Sequence, residues 1–168
     1  MTEEYELPDY YQDLFLDSGD AIGFDCPALT PDLVALAELA LGYKLPDAYV
    51  RLLEVRNGGY LTRPICPTDE PTAWAADHVY VDRIFGIGGE DGIEAGMGSR
   101  FLIEEWGYPN VGVVFSSNGP TAFMLDYSEC DIDGEPRVIY VHVDPGSAPN
   151  VILLADDFDG FLERLEPF

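Results

Sequence analysis

The chain has 168 residues, 47% of them apolar, so one domain with a sizeable core is expected and global disorder is excluded. It carries 32 acidic against 8 basic residues, a formal net charge of −24, which disfavours nucleic acid and membrane surfaces as partners and favours cationic proteins. Three widely spaced cysteines and the lack of a leader or a long apolar run predict a cytoplasmic chain without disulfides.

The first 29 residues form an acidic segment that we separate from the rest of the chain. Residues 1–43 contain ten acidic residues and no basic one, since Lys44 is the first base. One short helix is predicted over residues 10–16. We therefore divide the chain into an acidic N-terminal arm, residues 1–29, and a single domain, residues 30–168.

Four further segments carry helix signals. Thr30 is a suitable N-cap for a helix over 31–41 that ends at Gly42, and a second helix is predicted over 46–55. Shorter helices are predicted over 99–105 and 157–165. The apolar face of the first helix is formed by Leu33, Leu36, Ala37, Ala40 and Leu41.

Strand signals occupy residues 79–85 and then, in quick succession, 111–115, 121–127 and 137–143. Residues 60–77 are rich in proline and are predicted to be irregular apart from a short strand near Tyr60. The short gaps force antiparallel pairing of the last three strands, because parallel strands need a long crossover. The predicted fold is α+β: a mostly antiparallel sheet with a C-terminal three-strand meander, and helices packed mainly on one face.

A series of short motifs between about Thr30 and Leu165 resembles the SUKH superfamily, which includes yeast regulators of cell-wall glucan synthesis and many bacterial toxin-immunity proteins. The order and spacing of the motifs carry the resemblance more than any one of them. The motifs are Leu45-Pro46, Tyr49 with Leu52-Leu53, Asn57-Gly58-Gly59, Phe85-Gly86, Glu105-Trp106-Gly107-Tyr108-Pro109, Gly112-Val113-Val114-Phe115, Leu125-Asp126-Tyr127, Glu135-Pro136, His142-Val143-Asp144 and Leu154-Ala155 before Phe158 and Phe161-Leu162.

The resemblance implies an α+β fold and a protein-binding role, without catalytic residues. The chain departs from the family in one place. Many members carry a Gly-His-Asp segment just before the Leu-Asp-Tyr strand, whereas residues 116–123 are shorter here and lack that histidine. Any contact that the segment makes in other members is therefore not implied for this chain.

His142 and Asp144 are the strongest candidates for chemistry, because alternating side chains place them on one face of a strand. A metal site needs a third ligand, and none stands at motif spacing, so a hydrogen-bonded core histidine is the favoured interpretation. Residues 129–140 lack the final glutamate of a calcium loop. No nucleophile motif is present, and we expect no metal, no cofactor and no enzymatic activity.

The glycine-rich segment 86–98 does not have dinucleotide-binding spacing, because Asp91 stands where the third glycine belongs. It is interpreted either as a flexible recognition loop or as a tight chain reversal. Its carboxylates Glu90, Asp91 and Glu94, together with Glu104 and Glu105, are the predicted contacts for a cationic partner.

Two further side chains are candidates for the same role. Tyr108 is expected to be partly exposed and to serve as a binding anchor, while its neighbour Trp106 is expected to fill the core. Asp126 lies beside apolar residues, so it is either hydrogen-bonded at a strand end or part of a surface site.

Three functions follow from these observations. The first is an immunity protein that binds and neutralises a basic toxin domain, such as a nuclease. The second is a regulatory interaction scaffold of the cell-wall-assembly type, and the third is a small-ligand or metal-binding enzyme. The sequence implies neither an oligomeric state nor the identity of the partner, and the acidity has an alternative role in solubility alone.

Overall fold

The computed structural model of the chain describes residues 9–16 and 26–168. Its helices there are α1 (Asp9–Gln12), α2 (Pro31–Leu41), α3 (Asp47–Val55), α4 (Ser99–Trp106) and α5 (Phe158–Arg164). Its strands there are β1 (Gly59–Tyr60), β2 (Ile65–Pro67), β3 (His78–Tyr80), β4 (Arg83–Ile84), β5 (Gly112–Ser117), β6 (Thr121–Asp126), β7 (Arg137–His142) and β8 (Asn150–Ala155).

The largest sheet is an antiparallel meander in the order β5-β6-β7-β8. Its first three strands confirm the predicted meander, and the α+β class is confirmed with it. The fourth strand, β8, was not predicted. After Asn150 its exposed positions are also apolar, with Val151 46% and Leu153 48% exposed, so the sequence shows no polar alternation there.

Both faces of this sheet are covered. One face packs against α1, α2, α3 and α5 through a core that includes Leu14, Tyr49, Phe115, Phe158 and Phe161. The other face packs against α4 through a smaller cluster around Val114, Met124 and Tyr108. Helices therefore lie mainly on one face, as predicted, with α4 alone against the other among the described helices.

The predicted strand over residues 79–85 is divided between two partners. Its first part, β3, pairs with β2, and its second part, β4, pairs with β1. Between them, the Val81 amide donates to the Pro64 carbonyl at 2.6 Å, and the Asp82 carbonyl accepts from the Leu61 amide at 2.9 Å. The segment is thus hydrogen-bonded throughout, and the prediction of irregular structure for 60–77 was wrong at β2.

The helices α2 to α5 begin and end close to the predicted residues, whereas the helix predicted over 10–16 ends already at Gln12. The Thr30 hydroxyl accepts from the Leu33 amide at 3.3 Å at the start of α2, and Gly42 ends that helix with φ 82°. The predicted apolar face was wrong in part, because Ala37 is buried but Leu36, at 62%, and Ala40 are exposed. Leu39, which lies outside that face, is 81% exposed. One side of α2 therefore presents apolar side chains to solvent.

The N-terminal segment contributes to the core where the structure describes it. Tyr11 and Leu14 are buried in the main cluster, and the Tyr11 hydroxyl donates to Asp159 of α5 at 2.8 Å. None of the helices in the described part of the chain combines the length and the hydropathy that crossing a membrane requires. Cys66 is buried in the main cluster, and burial raises the pKa of its thiol to about 11.

Candidate functional site

Residues 86–98, which we call the glycine loop, are held at their start by Asn57. The Asn57 side-chain amide donates to the Pro27 carbonyl at 2.6 Å and to the Ile87 carbonyl at 2.7 Å. Its oxygen accepts from the Ile87 amide at 2.8 Å. One side chain thus joins the end of α3 to the loop and to the segment before α2.

The glycines at positions 58 and 86 are required because the backbone after α3 and the start of the glycine loop approach each other closely. A Cβ on Gly58 would lie 2.8 Å from the Gly86 nitrogen, and a Cβ on Gly86 would lie 2.4 Å from the Asn57 carbonyl oxygen. Gly58 also has φ 93°, which side chains strongly disfavour. Neither position accepts a side chain without moving the loop.

Glu94 ties the loop to itself. Its Oε1 accepts from the Gly88 amide at 2.7 Å, and the Ile93 amide donates to the Gly86 carbonyl at 2.9 Å. The Glu94 Oε2 atom is buried with no hydrogen-bond partner among the described residues. The loop is therefore a tight chain reversal, and Glu94 supports the fold, whereas Glu90 and Asp91 are exposed on its surface.

A groove runs between α2, the glycine loop and α4, and we call it the α2–α4 groove. It consists of two adjoining clefts of about 420 and 340 Å³ that share Leu41, Arg100 and Glu104. The Arg100 guanidinium spans it by donating to the Ala40 carbonyl at 3.2 Å. The predicted contacts Glu104 and Glu105 are both exposed on α4, and Glu104 lines the groove.

The predicted exposures of Trp106 and Tyr108 were both wrong: Tyr108 is buried and Trp106 is exposed. Tyr108 is 4% exposed, and its hydroxyl is hydrogen-bonded to the Ser117 hydroxyl at 2.9 Å and to the Gly119 carbonyl. Burial raises its pKa. Trp106 is 42% exposed and lies over Gly119. Gly107, with φ 77°, ends α4 and turns Tyr108 under the sheet.

Asp126 is hydrogen-bonded at the strand end. It is 4% exposed, and its carboxylate accepts from the Ser128 amide at 2.8 Å and from Arg137 at 2.7 Å. Burial opposes ionisation, but the hydrogen bonds from Ser128 and the ion pair with Arg137 outweigh it and lower the pKa of Asp126. The negative charge of Asp126 is therefore paired with Arg137 inside the fold.

His142 is held in a similar way. Its Nδ1 lies 2.8 Å from the Thr121 hydroxyl, and its Nε2 lies 3.2 Å from Asp144 Oδ1. No cluster of three or more His, Cys, Asp or Glu side chains that could hold a metal ion occurs within residues 9–16 and 26–168. Thr121 and Asp144 therefore orient the imidazole at the end of β7.

A second surface was not predicted from the sequence. A cleft of about 330 Å³ lies at the end of the β5–β6 hairpin, and we call it the aromatic cleft. Its lining includes Trp74, Tyr80, Pro120, Thr121, Tyr140 and His142. An exposed tryptophan in the proline-rich segment was the available signal, but the partners that complete the cleft are far away in sequence.

Comparison with protein families returns one description, SMI1 / KNR4 family (SUKH-1), whose model matches residues 28–164. The match covers the described fold from the residues before α2 to the end of α5. Comparisons with curated proteins and with solved structures return no match.

Proposed function

The chain belongs to the SMI1 / KNR4 family (SUKH-1), and from that premise we propose that it is an immunity protein, which binds and neutralises a basic toxin domain. The role is binding and not catalysis, and the compartment is the cytoplasm. The family resemblance supports a protein-binding role, while the composition and the exposed surface support the choice of a cationic partner.

The observation that carries the proposal is the combination of apolar and acidic exposure around the α2–α4 groove. Leu39 and Met97, which are 81% and 73% exposed, each adjoin a groove residue in sequence. Glu104 lines the groove and Glu105 follows it on α4. Apolar anchors flanked by charge are typical of protein-binding surfaces, because burial of the anchors supplies affinity and the charges select the partner.

The sign of the charge defines the partner. A net charge of −24 raises the local concentration of a cationic protein and so accelerates its encounter with the chain. A toxin domain that acts on nucleic acid carries a basic surface for its substrate, and an acidic protein that covers this surface blocks substrate binding. Glu90 and Asp91 on the glycine loop extend the acidic surface.

The experiment first identifies whether a toxin gene adjoins the gene for this chain, and it then pairs the chain with the effector domain of that toxin. We expect coexpression to restore growth, and the association rate constant to fall steeply as NaCl rises from about 0.02 to 0.3 M, while the dissociation rate changes less. Stopped-flow mixing measures both rates. A salt-independent association rate would contradict an electrostatic role for the acidity.

Matched variants locate the contact. Glu104→Gln with Glu105→Gln should slow association, and Leu39→Ser should speed dissociation, because the first pair removes steering charge and the second change removes an apolar anchor. Glu129→Gln with Glu163→Gln removes the same charge from exposed positions elsewhere, and it should leave the rates closer to those of the natural chain. Equal effects of both charge pairs would place the contact elsewhere.

The second candidate is a regulatory scaffold in which the same groove binds a housekeeping protein. The resemblance of the sequence motifs to yeast regulators of cell-wall glucan synthesis, together with membership of the SMI1 / KNR4 family (SUKH-1), supports this candidate. A gene with no toxin neighbour, together with a stable complex that has no effect on a toxin, would favour the scaffold over the immunity role.

A further inference from the structure

The aromatic cleft is preorganised by the segment that carries Trp74. The Thr72 hydroxyl accepts from the Trp74 amide at 3.1 Å and donates to the His78 carbonyl at 2.7 Å. The Ala73 amide donates to the Tyr140 hydroxyl at 3.1 Å, which fastens the segment to the sheet. Trp74 is nevertheless 57% exposed, so the backbone holds its indole at the surface.

The walls of the cleft are aromatic faces. The Trp74 ring stacks on Tyr80, with centroids 5.2 Å apart and an interplanar angle of 26°. On the sheet, the rings of Tyr140 and His142 are nearly parallel, with an angle of 6° and centroids 6.4 Å apart. Thr121 and Asp144 hold the imidazole in place. Tyr140 is fully buried, so a ligand meets the rings of Trp74, Tyr80 and His142, whose positions are already set by these contacts.

The residues that line the cleft include no lysine, arginine or carboxylate. The sequence segments that carry them, residues 68–80, 118–122 and 140–144, contain Asp69, Glu70, Asp77 and Asp144 and no lysine or arginine. The Asp144 carboxylate is hydrogen-bonded to His142 of the cleft, and the Asp144 side chain is 69% exposed. An anionic ligand would be repelled here, whereas a cation is attracted both by the carboxylates and by the negative faces of the rings.

We propose that the aromatic cleft binds an arginine side chain of a protein partner. The planar guanidinium stacks on the Trp74 indole, and its N–H groups are directed to the Asp144 carboxylate at the rim. A cleft of about 330 Å³ lies at the small end of the usual range for ligand pockets, about 300–1,000 Å³, which suits one side chain better than a cofactor.

This site stands apart from the α2–α4 groove, with which it shares no lining residue. It does not depend on the immunity role, because any protein with an accessible arginine would engage it. Its test uses a peptide and no toxin, so either proposal can fail alone.

The probe is the tripeptide Gly-Arg-Gly with an acetylated amino end and an amidated carboxyl end. Its control is the same peptide with citrulline, which has nearly the shape of arginine but no charge. The protein is the full chain with Trp106→Phe, which leaves Trp74 as the single tryptophan. Indole fluorescence and two-dimensional NMR spectra follow the titration at constant ionic strength.

We expect the arginine peptide to bind saturably with a Kd in the millimolar range and to shift the signals of Trp74 and His142, and the citrulline peptide to bind at least about three-fold more weakly. Trp74→Ala and Asp144→Asn are each made in the natural chain, without Trp106→Phe, and binding is followed by NMR. Each should weaken arginine binding by about three- to ten-fold. Glu163→Gln removes one exposed acidic residue elsewhere and should leave arginine binding unchanged.

Three results would overturn the proposal. Equal binding of the citrulline peptide would show an apolar cleft without selection for a cation. Unchanged binding to Trp74→Ala would show attraction by net charge alone. Signals that shift only outside the cleft would place the arginine elsewhere. Circular dichroism of each variant verifies that the fold is intact, and Asp144→Asn tests the rim carboxylate if Trp74→Ala does not fold.

Discussion

At the scale of single residues, Asp126 shows how a charged side chain becomes part of the fold. It lies at the end of β6, opposite Arg137 of β7, and it is almost fully buried. An isolated buried carboxylate is strongly unfavourable, but the Arg137 guanidinium and the Ser128 amide supply the hydrogen bonds that it requires. The side chain therefore stabilises the meander in its ionised form.

We expect Asp126→Asn to lower the free energy of unfolding at pH 7 by about 1.5–3 kcal/mol, because hydrogen bonds to a charged group are lost. The folded-state pKa of Asp126 is lowered, so its contribution is present above the unfolded pKa of about 3.9 and disappears as the pH falls through the folded value. Urea unfolding at several pH values should therefore show the difference between variant and natural chain shrinking below about pH 4.

Asp131→Asn is the control for this comparison, because it removes the same charge from an exposed turn. Its effect should stay within about 0.5 kcal/mol. A difference for Asp126→Asn that stayed constant with pH would mean that ionisation of the carboxylate does not matter to the fold.

At the scale of elements, α4 is joined to the sheet by a hydrogen bond and by apolar packing. The ladder between β5 and β6 shifts register between Val114 and Ser116, which indicates a bulge. The Val114 amide of β5, the outer strand of the sheet, donates to the Ser99 hydroxyl at 2.8 Å, and both residues are buried. The first residue of α4 thus supplies the acceptor for a buried amide of the sheet.

Ser99→Ala should destabilise the fold by about 1–3 kcal/mol, because a buried amide would lose its acceptor. Chemical unfolding measures the loss, and hydrogen exchange should show faster exchange at the Val114 amide than at the amides of β7. Ser147→Ala, in an exposed turn, is the matched control and should change stability little. Slow exchange at Val114 in the Ser99→Ala variant would mean that another acceptor replaces the hydroxyl.

At the scale of the whole molecule, the dominant feature is the excess of acidic residues. With 32 acids and 8 bases, most carboxylates cannot pair with a base, and their mutual repulsion opposes the compact state. Screening by salt reduces this repulsion, since the Debye length falls from about 30 Å at 0.01 M to about 8 Å at 0.15 M. The same screening weakens the attraction of a cationic partner.

The unfolding temperature of the free chain should therefore rise as NaCl is added from about 0.01 to 0.3 M. Calorimetry in NaCl and in choline chloride at equal ionic strength checks this, because screening depends on ionic strength and not on the cation. A rise in only one salt would indicate specific ion binding, and a falling temperature would show that ion pairs stabilise the fold more than repulsion opposes it.

The parts of the fold that depend on local chain chemistry were predictable. Thr30 and Gly42 bracket α2 because capping groups act within one turn, and short turns between strands allow only antiparallel pairing of β5, β6 and β7. The family could also be identified from the order of short motifs. The site residues were harder to predict from the sequence. Glu90, Glu104 and Glu105 are exposed, as a binding role requires, but Tyr108 is buried.

The sequence by itself determined the fold class, the meander, the charge and the family. Only the tertiary structure decided that Glu94 and Asp126 serve the fold, that Trp106 faces solvent in place of Tyr108, and that Trp74 completes a cleft with His142. The physical reason is that exposure and pairing depend on what packs against a side chain. For these residues the deciding neighbours, such as the Gly119 carbonyl over Tyr108, come from other elements of the chain.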